Sequence, residues 1–210
     1  IGDLARADRE LLHWKLGKNG VLLHRFANGQ APCGVPRWDY LPPIKSVGNS
    51  TTAPRDLVSE TDVKITLYAL CDSVASRLRD QGCLCSGVQL GVRDYELKGF
   101  QRQGRLSAPS ANGEDLFQKA FALYRNNDPG KPVRSLSVAA LGLVPTQRDI
   151  QLSMFEDEIR RQKQTLLEET VDEIRRRYGY YSIQRAVMLE DPTLNLDAKG
   201  EHTIHPIGFL

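Results

Sequence analysis

Cationic and small polar side chains recur between residues 44 and 145, and these residue types bind phosphate oxygens. The cations are Lys98, Arg102, Arg105 and Arg134, and the polar residues near them are Ser46, Asn49, Ser50, Thr51, Ser135 and Ser137. Together with backbone N–H groups, such side chains hold a nucleic-acid backbone in place without reading its sequence. An ordinary solvated strand face has much the same composition, so these residues alone leave both interpretations open.

A glycine-rich turn near the start of the chain offers a second candidate phosphate site. Gly17-Lys18-Asn19-Gly20 opens a helix, whose free N–H groups and positive dipole end could hold a phosphate while Lys18 adds charge. The alternative is a glycine that ends one helix before the next one begins. The spacing alone favours this alternative.

The pentapeptide Gln151-Leu152-Ser153-Met154-Phe155 places three large apolar side chains in a polar part of the chain. Apolar residues outside a core usually dock into the pocket of a partner, with the glutamine amide hydrogen-bonding at the rim. The alternative is that Leu152, Met154 and Phe155 pack back onto the domain. The residues favour the two interpretations equally.

No residue pattern indicates catalysis. The chain contains neither a GxSxG motif nor a phosphate-binding glycine loop, and its histidines have no ligand spacing with carboxylates. These histidines are His13, His24, His202 and His205. We therefore assign no catalytic residue, no metal ligand and no cofactor to this chain.

The four cysteines lack the paired CxxC spacing of zinc sites. They are Cys33, Cys71, Cys83 and Cys85. Cys83 and Cys85 alternate as residues on one side of a strand do. We expect all four to be reduced and mostly buried thiols.

The composition is that of a globular protein, with 40% hydrophobic and 26% charged residues in a chain of 210. No segment approaches the roughly 20 apolar residues of a membrane helix, and the amino end lacks a signal-peptide pattern. We therefore expect a cytoplasmic protein with no membrane partner. Charge is uneven, because residues 44–145 carry 13 basic against 10 acidic side chains and residues 146–210 carry 9 against 12.

Hydrophobic periodicity predicts the elements that position these residues. Residues 1–30 predict two short helices around the Gly17–Gly20 turn, and the Pro and Gly residues between 31 and 43 predict a linker. The predicted order after the linker is a strand (44–52), a helix (60–78), two strands (83–93 and 97–106), a helix capped at Asn112 or Gly113, and a strand (133–144). This order predicts an α+β fold with a four-stranded, mostly antiparallel sheet, both helices on one face and the other face free to bind.

Residues 146–210 predict a tail that contains one amphipathic helix. Its apolar stripe consists of Ile159, Leu167, Val171, Ile174 and Tyr178. We expect the charged face of this helix to be solvated and the stripe to be covered by a part of the protein outside this chain or by a partner. The region after residue 189 is rich in turn formers and predicts no regular element.

These segments, taken in order, resemble the C-terminal part of Y-family DNA polymerases of the DinB and UmuC (ImpB/MucB/SamB) type. Residues 1–5 and 17–20 are similar to the thumb of that family, residues 45–144 to its little-finger domain, and residues 151–155 to the bacterial pentapeptide that docks on the sliding clamp. The ending, from IRRRYGYYSIQRA to HTIHPIGFL, resembles the tail of UmuC-like repair polymerases from Gram-positive bacteria. The chain begins without methionine, and we expect it to belong to a longer protein.

The resemblance implies the end of a thumb at 1–30, a linker at 31–43, a little finger at 44–145 and a tail at 146–210. It implies that the little finger grips the backbone of primer-template DNA and that QLSMF binds the sliding clamp, with accessory repair subunits as further partners. The palm and fingers of the family, which hold the carboxylates that bind Mg²⁺, match no part of this sequence. We therefore expect this fragment to be inactive by itself.

Two other classes of protein remain open. One is a protein-interaction module without DNA affinity, in which the C-terminal helix and QLSMF make the contacts. The other is a small independent enzyme with the same strand order, which would require a cluster of buried acids and histidines. The sequence shows no such cluster.

Overall fold

The computed structural model describes residues 1–30, 34, 37, 44–146 and 158–197. The chain divides into two units, Ile1–Pro43 and Ile44–Leu210, and each unit is described by itself. Within the described ranges, no helix is both long and apolar enough to cross a lipid bilayer.

The first unit contains three short helices, where the sequence predicted two. They are α1 (Gly2–Arg6), α2 (Arg9–Leu16) and α3 (Lys18–Ala27). Asp8 separates the first two, because its carboxylate accepts a hydrogen bond from the Glu10 N–H at 2.7 Å and caps α2. The prediction missed this short-range cap.

Gly17 and Gly20 join α2 to α3 in a tight turn. Gly17 has a φ of +60°, a conformation that glycine adopts without steric strain. Gly20 is buried against the carbonyl group of Leu12, and no room remains there for a Cβ atom. Both glycines therefore have local structural reasons for their positions.

The second unit is built on a four-stranded sheet in the order β1-β4-β2-β3. The strands are β1 (Ser46–Leu57), β2 (Cys83–Asp94), β3 (Gly99–Ser110) and β4 (Val133–Pro145). All three neighbouring pairs are antiparallel. Helix α4 (Glu60–Asp80) connects β1 to β2, and α5 (Gly113–Arg125) connects β3 to β4. The predicted α+β fold and its order of elements are confirmed.

Strand β1 is longer than predicted, because it continues to Leu57 through Pro54. A proline lacks the N–H that a central strand needs, but an edge strand tolerates it. Strand β1 is at the edge of the sheet, and its pairing with β4 is irregular between Thr52 and Leu57. The proline is therefore compatible with the strand.

Both helices pack on the same face of the sheet and against each other. Val88, Leu90 and Val92 of β2 point toward them and are buried in one hydrophobic core. The rings of Tyr68 on α4 and Phe117 on α5 stack with their centroids 3.5 Å apart. The alternation of buried and exposed residues along the strands leaves the opposite face of the sheet to solvent.

The amino end of α4 is fixed by a capping box. The Ser59 hydroxyl accepts a hydrogen bond from the Asp62 N–H at 3.0 Å, and the Asp62 carboxylate accepts one from the Ser59 N–H at 3.1 Å. Arg55 on β1 reaches the same carboxylate through two nitrogen–oxygen contacts of 2.9 Å. The start of α4 is thereby tied to the end of β1.

Residues 158–197, here called the C-terminal strap, belong to the same unit as the sheet. The strap contains α6 (Glu158–Tyr178) and two 3₁₀ turns, Tyr180–Ser182 and Ala186–Leu189. Met188 and Leu194 are buried in the hydrophobic core. The sequence predicted the helix but no regular element after residue 189, although Leu194 contributes to the core.

The prediction that the charged face of α6 is solvated is wrong, whereas the cover expected for its apolar stripe stays a prediction. Leu167 and Tyr178 of the predicted stripe are 55% and 66% exposed, whereas Glu168 on the charged face is only 8% exposed. Val171 and Ile174 are half-buried, and the side chain of Ile159 lies outside the described residues. The reason is that α4 presents Arg79 and Asp72, which bind charged side chains of α6.

Candidate nucleic-acid interface

The face of the sheet opposite α4 and α5 is called here the open face. Residues that are directly opposite on neighbouring strands share a face, so the pairing defines rows across all four strands. The rows on the open face are Thr52-Ser135-Arg93-Gly99, Ser50-Ser137-Gly91-Gln101, Gly48-Ala139-Gln89-Gln103 and Ser46-Leu141-Gly87-Arg105. Ser46, Ser50, Ser135 and Ser137 therefore lie on the face that the sequence predicted to be free.

Uncharged side chains form the middle of the open face, with small residues on β1 and β4 and glutamines on β2 and β3. They surround an open depression of about 790 Å³ whose lining includes Ser50, Gly91 and Ser137. The Ser137 hydroxyl lies where a Cβ atom on Gly91 would be, so glycine lets this side chain lie flat on β2. The small residues of β1 and β4 and Gly91 allow a ligand backbone to approach this part of the sheet closely.

Arginines stand at opposite ends of this neutral surface. Arg93 is at the end of β2, and Arg105 is on β3 opposite Gly87. Six residues of β2 separate their rows, which corresponds to about 20 Å along a strand. Both side chains are exposed, and neither has an acidic partner in the described part of the chain.

Arg93 was not among the binding residues predicted from the sequence. The strand pattern of β2 contains a signal for it, because Val88, Leu90 and Val92 are buried. With a period of two, these residues place Arg93 on the opposite face. The strand pattern could therefore have identified it.

Asn49 and Arg102 are not on the open face, which corrects their expected placement. They lie in the row Asn49-Val138-Leu90-Arg102, which points toward the helices. The Asn49 Nδ2 donates to the Ser73 Oγ on α4 at 3.0 Å, and the Arg102 Nε donates to the Asn127 Oδ1 at 3.0 Å. A one-residue change of phase moves a strand residue to the other face.

Thr51 is also on the helix side by register, because it is opposite Leu136, which is buried. Its expected place beside Ser50 on the open face is therefore corrected as well. Adjacent residues of a strand point to opposite faces. The Ser-Thr-Thr run in β1 thus divides between the two sides of the sheet.

Lys98 and Arg134 have acidic neighbours. Lys98 lies in the turn between β2 and β3, and its Nζ is 3.0 Å from the Glu96 Oε2. Arg134 lies where the pairing of β1 with β4 is irregular, and its Nη1 is 3.1 Å from the Asp56 Oδ1. These exposed pairs are weak, but they make both cations less available than Arg93 and Arg105.

The remaining predicted site residues belong to the first unit or lie outside the described residues. Lys18 is exposed at the start of α3 in the first unit. Gln151, Leu152, Ser153, Met154 and Phe155 lie outside the described residues, so their role as a docking segment stays a prediction.

The described cysteines are free thiols, and two of them, Cys71 and Cys85, are buried. Burial raises the pKa of Cys85 to about 12 and raises the pKa of Cys71 well above its ordinary value. Cys83 is partly exposed, and Cys33 lies outside the described residues. The free, buried state expected of Cys71 and Cys85 is confirmed.

No metal site is formed by the residues that the structure describes. They contain no group of three or more His, Cys, Asp or Glu side chains placed to hold a metal ion.

Comparison with known proteins identifies the family. The model of the impB/mucB/samB family C-terminal domain matches residues 44–154, which include the whole sheet and both of its helices. The chain is 42% identical to DNA polymerase IV of Acetivibrio thermocellus over 93% of this chain and 49% of the relative. It is 36% identical to DNA polymerase IV 1 of Halalkalibacterium halodurans over 85% of this chain and 43% of that protein.

A third relative, DNA polymerase IV 2 of Bacillus subtilis, is 32% identical over 90% of this chain and 46% of its own length. The chain thus spans about half the length of the curated relatives it matches. The family match covers more than half of the chain and coincides with the sheet that carries the open face. The chain therefore belongs to the impB/mucB/samB family of DinB-type, Y-family polymerases and contains its C-terminal domain.

Proposed function

We propose that this chain is the DNA-gripping part of a translesion DNA polymerase and holds primer-template DNA by its phosphate backbone. The observation that carries this proposal is the open face, where Arg93 and Arg105 stand at the ends of an uncharged surface and have no acidic partner among the described residues. The relatives are named DNA polymerase IV, which makes DNA the polymer expected on this surface.

The chemistry of the open face suits a phosphate backbone. Guanidinium groups donate two parallel hydrogen bonds to phosphate oxygens. The separation of about 20 Å between the arginine rows corresponds to about six base-pair steps of 3.4 Å. The hydroxyls of Ser50 and Ser137 between these rows, and that of Ser135 beside Arg93, add short-range donors.

Contacts to phosphate carry no sequence information. The open face therefore holds any duplex of suitable shape, including one whose template base is damaged. Lys18, at the start of α3, adds a further phosphate contact from the thumb. Metal-dependent nucleotide addition, with Mg²⁺ on acidic residues, belongs in this proposal to the palm and fingers of the longer polymerase.

Residues 151–155 form the second functional segment in this proposal. The pentapeptide docks on the bacterial sliding clamp, with Leu152 and Phe155 in an apolar pocket and Gln151 at its rim. Similarity to clamp-docking pentapeptides supports this role. The protein then acts in the cytoplasm on clamp-loaded DNA, where accessory repair subunits are further partners.

Binding to primer-template DNA tests the grip. Fluorescence anisotropy over a range of salt concentrations compares the unchanged chain with the double variant Arg93→Glu/Arg105→Glu. We expect affinity to fall about 100-fold at low salt, about tenfold for each arginine. The slope of log affinity against log salt becomes shallower by about 1.8, because two phosphate contacts are lost.

A matched control distinguishes the effect of losing the open-face arginines from the effect of a change in net charge. The variant Arg102→Glu/Arg125→Glu changes the same total charge on the helix side of the sheet, so it keeps most of the affinity. Equal losses in both variants would show that net charge and not the open face sets the affinity, and a larger loss in the helix-side variant would show that the wrong face has been chosen. If the unchanged chain does not bind DNA at low salt, the protein-interaction module becomes the better interpretation.

Clamp binding is tested separately. Leu152→Ala/Phe155→Ala removes both apolar anchors and abolishes binding to the purified clamp, whereas Ser153→Ala in the same pentapeptide retains it. DNA affinity stays unchanged in both variants. Clamp binding that survives loss of the anchors would reject the docking role.

A further inference from the structure

The turn between β2 and β3 has a leucine at a position where turns of this kind normally have glycine. The Asp94 N–H donates to the Lys98 carbonyl at 2.9 Å. The loop between them has three residues, Tyr95, Glu96 and Leu97. The third residue of such a loop adopts a left-handed conformation, which favours glycine. Leu97 has a φ of +65° and is the only residue other than glycine with a positive φ in the described part of the chain.

Hydrogen bonds fix the backbone on both sides of Leu97. The Leu97 N–H donates to the Asp94 carbonyl at 3.0 Å, and the Tyr95 N–H donates to the Pro132 carbonyl at 3.1 Å. The Lys98 N–H donates to the Asp94 Oδ1 at 2.9 Å. A bulky side chain on a left-handed residue is strained. The turn itself would therefore be more stable with glycine at this position.

Burial does not account for the leucine either. The Leu97 side chain is 67% exposed, whereas the apolar side chains of the core are buried. A strained residue persists where the surrounding structure fixes it, and such residues concentrate at binding sites. The strained and exposed leucine therefore indicates a contact with a ligand.

Leu97 lines the depression of the open face, as Arg93 does. The two residues are at the same end of the sheet, because Arg93 is opposite Gly99, which is two residues after Leu97. The other large apolar residues that line the depression are buried or half-buried. This end of the open face therefore offers a free guanidinium and an exposed apolar side chain to the same ligand.

The charges around the turn suit an anionic ligand. The Glu96 Oε2 is 3.0 Å from the Nζ of Lys98 and 3.0 Å from the Nζ of Lys131. Asp94 is only 7% exposed, and its carboxylate accepts the backbone hydrogen bond described above. With Arg93, the turn thus has three cations against two carboxylates, one of which is buried. A ligand with a negative group next to an apolar one matches this arrangement.

We propose that Leu97 packs against a deoxyribose of the DNA strand whose phosphate is bound by Arg93, and that this contact makes the open face prefer DNA to RNA. The inference rests on the DNA grip proposed above. Every phosphate within a strand is bonded to a sugar on each side, so a side chain next to a bound phosphate meets a sugar. Ribose carries a 2′-hydroxyl that deoxyribose lacks. Burying this hydroxyl against leucine, which offers no hydrogen bond, is unfavourable.

Replacement of Leu97 by asparagine tests the contact. Asparagine adopts the left-handed conformation more readily than leucine does, so Leu97→Asn keeps the turn and removes the apolar group. We expect the affinity for primer-template DNA to fall about fivefold. The slope of log affinity against log salt stays the same, because no phosphate contact is lost. Arg93→Met, in contrast, makes this slope shallower by about 0.9.

Two further variants distinguish loss of the contact from damage to the fold. The matched control is Leu189→Asn, because Leu189 in the C-terminal strap is 68% exposed; this variant keeps its DNA affinity. Leu97→Gly relieves the strain of the turn, so we expect the midpoint of thermal unfolding to rise by about 2–4 °C. Its DNA affinity nevertheless falls as in Leu97→Asn. Unfolding cannot explain weaker binding by a more stable protein.

Hybrid duplexes of the same sequence, with RNA in one strand or in the other, test the preference for deoxyribose. The ratio of DNA affinity to hybrid affinity is compared between the unchanged chain and Leu97→Asn, so that differences in duplex shape cancel. We expect this ratio to fall about fivefold in Leu97→Asn for at least one of the two hybrids. An unchanged ratio for both hybrids, or unchanged DNA affinity in Leu97→Asn and Leu97→Gly, would overturn the proposal.

The variant Arg93→Glu/Arg105→Glu distinguishes failure of this proposal from failure of the DNA grip. If it loses DNA affinity and Leu97→Asn does not, the grip is retained and only the leucine contact is rejected. If the unchanged chain does not bind DNA at low salt, both are rejected.

Discussion

The two sides of the sheet use arginine in opposite ways. On the open face, Arg93 and Arg105 are exposed and have no acidic partner among the described residues. On the helix side, the side chains of Arg79 and Arg175 are each 13% exposed and that of Arg185 is 30% exposed, and all three bind carboxylates. The two open-face arginines are thus available to a ligand, whereas these three arginines on the helix side bind carboxylates of the protein itself.

The comparison shows that a count of charges does not locate a binding surface. A guanidinium in water gains little from an ion pair, so an exposed arginine remains free for a ligand. A buried guanidinium must be paired, because an isolated charge in the interior is strongly unfavourable. The function of each arginine therefore follows from its burial and its partners.

The largest expected effect concerns Arg79. Arg79→Met leaves Glu168 and Asp172 without their counter-ion while both remain about 10% exposed. We expect the free energy of unfolding to fall by about 3–5 kcal/mol, as measured by urea denaturation. Arg93→Met on the open face should change it by less than about 0.5 kcal/mol. Equal effects of the two substitutions would remove the distinction between the two sides.

A smaller effect is expected at Gly91, in the middle of the open face. Gly91→Leu displaces the Ser137 hydroxyl and fills the depression, so we expect DNA affinity to fall about tenfold, or about 1.4 kcal/mol. Gln118→Leu adds the same side chain at an exposed position of α5 and should leave DNA affinity unchanged. Anisotropy titrations of both variants would show whether close approach to the sheet matters.

The smallest effect is the pH dependence of the protein's stability that arises from Asp62 on the helix side. The Arg55 guanidinium holds the pKa of Asp62 well below its ordinary value of 3.8. A carboxyl whose pKa is lowered by folding stabilises the protein above that ordinary value, and this contribution is lost as the pH falls below it. We expect thermal stability to decline below about pH 4 and Asp62→Asn to decline less steeply. If thermal stability declines equally with falling pH in the unchanged protein and in Asp62→Asn, Asp62 is not the cause of the decline.

The order of strands and helices along the chain could be predicted because each element is marked by local sequence signals. Helix α4 follows from regularly spaced apolar residues and a Ser59 cap, and the turn after β2 follows from Asp94 and its polar neighbours. It was harder to predict which residues of each strand point to which face of the sheet. Asn49 and Arg102 fit either face by residue type, and only their pairing with Val138 and Leu90 decides between the faces.

The strap was the least predictable part of the chain. Its charged face was predicted to be solvated, but the helix is oriented by Glu168, Asp172 and Arg175 on that face. A helical charge pattern does not show whether a distant element will present the opposite charge. Periodicity therefore predicted that α6 exists but did not predict which side of it faces the domain.

By itself, the sequence determined the elements, the α+β class and the likeness to Y-family polymerases, because these follow from residues close together in the chain. The tertiary structure alone decided which arginines are free and which are paired. Arg79 and Glu168 are 89 residues apart in the chain, and their contact exists only when α4 and the strap are packed together. A contact of this kind depends on three-dimensional packing, which no local pattern encodes.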